Sequence, residues 1–138
     1  MPKTNLQQQI FIDALPTKVW KVLTSPAYIS QYLLTGTIHC HCTEGSPITL
    51  INDEKGNEVV IRKGTILQVV PGLLLKYNWQ DDHSANLTVV TYQLTPSKEG
   101  IELKYCCEGF TDSDEEYFSR LQQTQLLLQK IKWLAEYA

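Results

Sequence analysis

The sequence predicts an α+β domain: a curved antiparallel sheet of about six to seven strands, wrapped around one long C-terminal helix, with two short helices after the first strand. Three observations predict it. Residues 36–110 read as extended chain throughout, interrupted only by turn chemistry such as Lys55-Gly56-Asn57 and Pro71-Gly72. Residues 111–138 instead carry an apolar stripe at helical spacing. Ahead of both lie two brief helical patterns divided by Ser25-Pro26.

The elements follow in order. Residues 6–13 place Ile10 and Ile12 on one face, as a strand does. In ALPTKVWKVLTSP, Pro16 suits a first helical turn, and Val19, Trp20 and Leu23 share a face. Ser25-Pro26 closes that helix and caps a second, in which Ile29, Tyr32 and Leu33 fall at i, i+3 and i+4 before Gly36 ends it. Ile48 and Leu50 lead into the hairpin of NDEKGNE. Residues 59–70 form a long strand in which Lys63-Gly64 predicts a bulge. Three more strands follow at 73–79, 87–94 and 101–107, joined by a polar stretch at 80–86 and a turn at 96–100.

The closing helix starts at a capping box, either Ser113 with Glu116 or Asp112 with Glu115. Asp112, Asp114, Glu115 and Glu116 sit at the positive end of its dipole, with Lys130 and Lys132 near the negative end. Tyr117, Leu121, Thr124, Leu128, Ile131 and Ala135 form one stripe, flanked by Leu127 and Leu134, that must be buried on the sheet. Leu126, Trp133 and Tyr137 form a second apolar row about half a turn away. Either loops or the C-terminus cover that row, or it is a surface for a homodimer or another protein partner.

At 138 residues the chain is expected to be one domain, 1–138, that needs neither metal nor disulfide for stability. A net charge of −3 with scattered Lys and Arg argues against nucleic acid as the partner. The longest purely apolar runs, such as Leu73-Leu74-Leu75, are far too short for a membrane span. MPKTNLQQQ lacks the apolar centre of a signal peptide, which gives a cytoplasmic reading with free thiols.

The stretch IHCHCTEG holds the most suggestive chemistry. His39 and His41 share a strand face with α-carbons about 6.5–7 Å apart, a spacing that can chelate a metal given a third ligand. Glu44 belongs to the opposite face and His83 to a distant loop, so no metal is expected. Ile38, Cys40 and Cys42 form the more apolar row and are expected inward, with the histidines toward water. Cys40 and Cys42 are expected to be poorly oriented for a disulfide, and a vicinal Cys106-Cys107 bridge is strained. In WQDDHSAN, Asp81, Asp82 and His83 supply raw material for general base work, although neighbours in a polar loop point different ways. No nucleophile elbow, P-loop or dinucleotide fingerprint is present, so no catalytic residue or cofactor is assigned and the reading leans away from an enzyme.

This element order, with the phrases ALPTKVWKVLTSPAYISQYL, GSPITL, KGTILQVVPGLLLKYNW, VVTYQLTP, EGFTDSDE and LQKIKWLAE, resembles the helix-grip (START/SRPBCC) superfamily. Within it the chain is most similar to the family of the heat-shock-protein-90 ATPase activator homologue. In the fold class that the chain resembles, the two cysteine strands are expected to flank the first strand, too far apart to link directly. Two positions depart from that pattern: Tyr32 stands where Trp is usual, and Thr124 or Gln125 where the helix commonly carries a large aromatic. The resemblance implies a cavity between the concave sheet and the long helix, holding an apolar or amphipathic small molecule. Its expected lining is Trp20, Tyr32, Ile48, Leu50, Trp79, Tyr92, Phe118, Leu121, Leu128 and Ile131. The favoured expectation is a non-catalytic small-molecule-binding domain. The alternatives are a protein-interaction module, such as a chaperone ATPase regulator, and a cavity enzyme of the polyketide cyclase or hydrolase kind.

Overall fold

Local chemistry sets the boundaries of each element in the computed structural model, which describes residues 3–33, 36–81 and 87–138. The order is β1 (Lys3–Ile12), α1 (Pro16–Thr24), α2 (Pro26–Leu33), β2 (Thr37–Cys40), β3 (Pro47–Glu54), β4 (Asn57–Val70), β5 (Leu74–Asp81), β6 (Leu87–Pro96), β7 (Ile101–Asp112) and α3 (Asp114–Tyr137). Both short helices begin at proline, whose fixed φ and missing N–H suit a first turn. Lys55 and Gly56, both at positive φ, turn β3 into β4.

The seven strands form one antiparallel sheet in the order β1-β7-β6-β5-β4-β3-β2. Strands β2 to β7 pair in sequence as a meander, and β1 adds beyond β7. The expectation that both cysteine strands flank β1 is therefore half wrong. β7 does, but β2 lies at the opposite edge, because each hairpin pairs with its successor and nothing returns to β1 from that side.

The expected bulge at Lys63-Gly64 is also displaced. The register of β4 slips on one side at Ile61 and on the other at Leu67. Gly64 answers a different need: a Cβ there would meet the Asn78 carbonyl oxygen at 1.8 Å, so the glycine permits close approach of β5. The Asn78 side chain accepts from the Thr65 N–H at 2.8 Å and ties the two strands beside it.

Alternation builds the inner face. On β7, Ile101, Leu103, Tyr105 and Cys107 are buried, while Glu102, Lys104 and Cys106 between them are half-buried. Helix α3 lies against β1 and β7, with α1 and α2 closing one end. It buries Thr124, Leu128, Ile131, Leu134 and Ala135, with Tyr117, Leu121 and Leu127 partly buried against the same core.

Of the two possible capping boxes, Ser113 with Glu116 forms. The Glu116 N–H donates to Ser113 Oγ at 3.2 Å, and the Ser113 N–H donates to Glu116 Oε1 at 2.9 Å. These bonds hold the Glu116 carboxyl below the usual range. Ser113→Ala is expected to cost about 1 kcal/mol in urea unfolding. A loss under a few tenths would show that the cap contributes little.

Candidate functional site

Between the concave sheet and α3 lies a cavity of about 800 Å³. Its floor is aromatic because strand parity aims one ring after another inward. Trp79 and Tyr77 meet edge to face, with centroids 5.4 Å apart at 81°. Tyr77 lies 6.4 Å from Tyr92, and Tyr92 meets its cross-strand partner Tyr105 at 5.3 Å and 67°. The rings form a continuous band over β5, β6 and β7. Burial pushes the phenols of Tyr32, Tyr77, Tyr92 and Tyr105 above their ordinary range, so all four stay protonated. Burial likewise pushes the Cys107 thiol up.

The other lining is mixed. Leu50, Ile61, Val90 and Leu127 supply apolar surface, while Arg62, Arg120, Gln123 and Thr124 are polar. Arg120 is fixed in place. Its Nε donates to Asp112 Oδ2 at 2.7 Å and its Nη2 to Asp112 Oδ1 at 3.2 Å, and its guanidinium stacks 4.1 Å above the centre of the Phe110 ring. The Thr124 hydroxyl donates to the Arg120 carbonyl at 2.9 Å. Among the described lining residues there are two guanidinium groups and no carboxylate or imidazole.

Of the residues expected at the cavity, Tyr32, Leu50, Trp79 and Tyr92 line it. The others lie elsewhere, and these positions correct the expectation. Trp20 lines a separate shallow cleft with Thr24, His41 and Cys42. Ile48, Leu128 and Ile131 are buried in the core, and Leu121 is half-buried against it. Phe118 is 60% exposed, because it stands one residue, about 100° of helix rotation, off the buried stripe at Tyr117. Leu126, expected at an outer interface, stands at the cavity mouth. Trp133 and Tyr137 are exposed, with their rings 6.3 Å apart.

Tyr77, Tyr105, Cys107, Arg62 and Arg120 went unrecognised in the sequence. A signal existed for some of them: Tyr77 shares strand parity with Trp79, and Tyr105 with Cys107. Arg120 precedes Thr124 by one helical turn.

At IHCHCTEG the face assignment is seen directly. His39 and His41 are exposed, and Cys40 and Cys42 are half-buried against the core. Among the described residues no group of three His, Cys, Asp or Glu is placed to hold a metal. The expected poor orientation of the two thiols is overturned. β2 ends at Cys40, and Cys42 adopts a left-handed φ of 47°, which swings its sulfur back to 2.9 Å from Cys40 Sγ. Asp82 and His83, and the side chain of Asp81, lie outside the described residues.

Among the described residues, no helix is long and apolar enough to cross a membrane. Residues 13–136 match the family model described as Activator of Hsp90 ATPase homolog 1-like protein. No curated protein matches the chain. A solution structure from Cytophaga hutchinsonii is 28% identical, with TM-score 0.81, covering 96% of this chain and 94% of its own. A crystal structure from Mesorhizobium loti is 24% identical, with TM-score 0.79, covering 94% and 95%. DynU16, a protein of the dynemicin biosynthetic locus, shares 16% identity and TM-score 0.79 over 96% of this chain and 48% of its own. The last two likenesses speak to the fold alone.

Proposed function

Because the chain belongs to the family of Activator of Hsp90 ATPase homolog 1-like proteins, we propose that it is a non-catalytic binding domain for a small amphipathic molecule held between sheet and long helix. The observation that carries this reading is the cavity of about 800 Å³, within the range of small-molecule sites. Its aromatic band suits a flat or ring-bearing apolar body. The polar side chains of Arg62, Arg120, Gln123 and Thr124 on the other side suit a polar end on the same molecule.

Thr124→Trp is expected to fill the cavity, since this buried side chain lines it from α3. The test titrates the naphthalene sulfonate dye ANS, an aromatic body with an acidic group, into both proteins, alongside native mass spectra. Wild type should bind one equivalent, and the variant at least about tenfold more weakly. Equal binding by a folded variant would place the dye elsewhere and sink the reading.

The exposed pair Trp133 and Tyr137, at 51% and 72% exposure, favours a second reading as a protein-interaction module. The same spectra separate the two. A ligand-free protein that runs as a dimer supports the second reading.

A further inference from the structure

We propose that Cys40 and Cys42 are a thiol–disulfide exchange site that reacts with small-molecule disulfides and closes reversibly into an intrachain bond. This does not rest on the cavity reading. The two sulfurs lie 2.9 Å apart, inside ordinary non-bonded contact, and the left-handed backbone at Cys42 holds them there. An extended strand keeps i and i+2 side chains parallel and apart, so the convergence is a local feature of this turn. Both thiols are half-buried and so within reach of a small disulfide, and Cys42 also borders an open cleft of about 430 Å³ beside Trp20, Thr24, His41 and Glu44.

The hydrogen bonds divide the roles. Cys40 Sγ accepts from the Cys42 N–H at 3.1 Å and faces the Cys42 thiol at 2.9 Å. The single S–H of Cys42 points to the Thr24 carbonyl oxygen, 3.4 Å away, when Cys40 is a thiol and turns to Cys40 when Cys40 is the anion. Cys40 is therefore the sulfur whose anion is solvated by the protein. The hydrogen bond from the Cys42 thiol, together with its backbone N–H, lowers the Cys40 thiol to about 7 against desolvation. Cys42 is pushed up, chiefly by the same hydrogen bond to Cys40. The geometry also separates this pair from a metal chelate. Two thiolates on one tetrahedral zinc, each about 2.3 Å from it, stand well over 3 Å apart.

The steps balance. Cys40 loses its proton to solvent and its thiolate attacks one sulfur of the incoming disulfide. That S–S bond breaks, and the first thiolate leaves. Cys42 then gives its proton to the departing thiolate and attacks the Cys40 sulfur, expelling the second thiolate. Two cysteine thiols are oxidised to one disulfide, and the small disulfide is reduced to two thiols. Closure also removes the S–H facing Thr24, so it loosens the link between the end of β2 and α1.

The test incubates the full chain at pH 7 with oxidised glutathione, quenches with acid, alkylates and maps the peptides. The expected product has Cys40 and Cys42 joined, both protected from alkylation until dithiothreitol opens the bond, with Cys106 and Cys107 alkylated throughout. Cys42→Ser should stop at a glutathione adduct on Cys40. A wild-type protein that accumulates the adduct without losing a second thiol overturns the proposal. So does oxidation confined to Cys106 and Cys107. The wild-type map decides the matter even if the serine variant fails to fold.

Discussion

Arg120→Met will destabilise the protein by about 2–3 kcal/mol at neutral pH. Asp112 is only 5% exposed, and the two bonds from Arg120 are what its carboxylate has in place of water. Methionine keeps much of the apolar stem that covers Phe110 and strands the charge. The figure sits at the low end for a broken buried pair because the Arg120 side chain is itself 35% exposed, so solvent already screens the interaction. Urea unfolding at pH 7 reads this directly, and Asp112→Asn added to Arg120→Met should recover part of the loss. A deficit below about 1 kcal/mol would mean that Asp112 is solvated.

Ile131→Ala is expected to cost about 3–4 kcal/mol and lower Tm by about 10 °C. Ile131 is fully buried at the centre of the α3 stripe, with Leu128, Leu134 and Ala135 around the same face. Removing its outer carbons leaves a void that the sheet and α1 cannot both collapse to fill. Trp133, two residues on and half exposed, is the internal contrast. Its replacement by Ala should change thermal stability by no more than about 0.5 kcal/mol. A large effect at Trp133 would mean that the outer row is covered in solution.

The order of elements was legible in the sequence because nearly every boundary has its own chemistry: prolines at the starts of α1 and α2, Lys55-Gly56 between β3 and β4, Ser113 with Glu116 at α3. Strand parity also sorted the histidines from the cysteines correctly. It failed at Cys42, where one left-handed residue ends the two-residue period that the argument assumed. The cavity was less legible. Parity names which side chains face inward, but not how far the helix stands from the sheet, and that separation decides whether Ile48 and Leu128 pack solidly while Tyr77 and Tyr105 border open space. Of the two positions read as departures on the helix, Thr124 is buried at the cavity and Gln125 is exposed, so the small side chain stands where space is left.

The place of β1 beyond β7 has a kinetic consequence. Lys3 pairs with Asp112, so the register of this edge joins stretches of chain separated by almost the whole meander. Closing so long a loop loses chain entropy before any contact rewards it, whereas each hairpin from β2 to β7 closes locally. The meander can therefore assemble early, and β1 docks when its partner strand is complete. Because α3 rests mainly on β1, the cavity is finished only when the two ends of the chain meet.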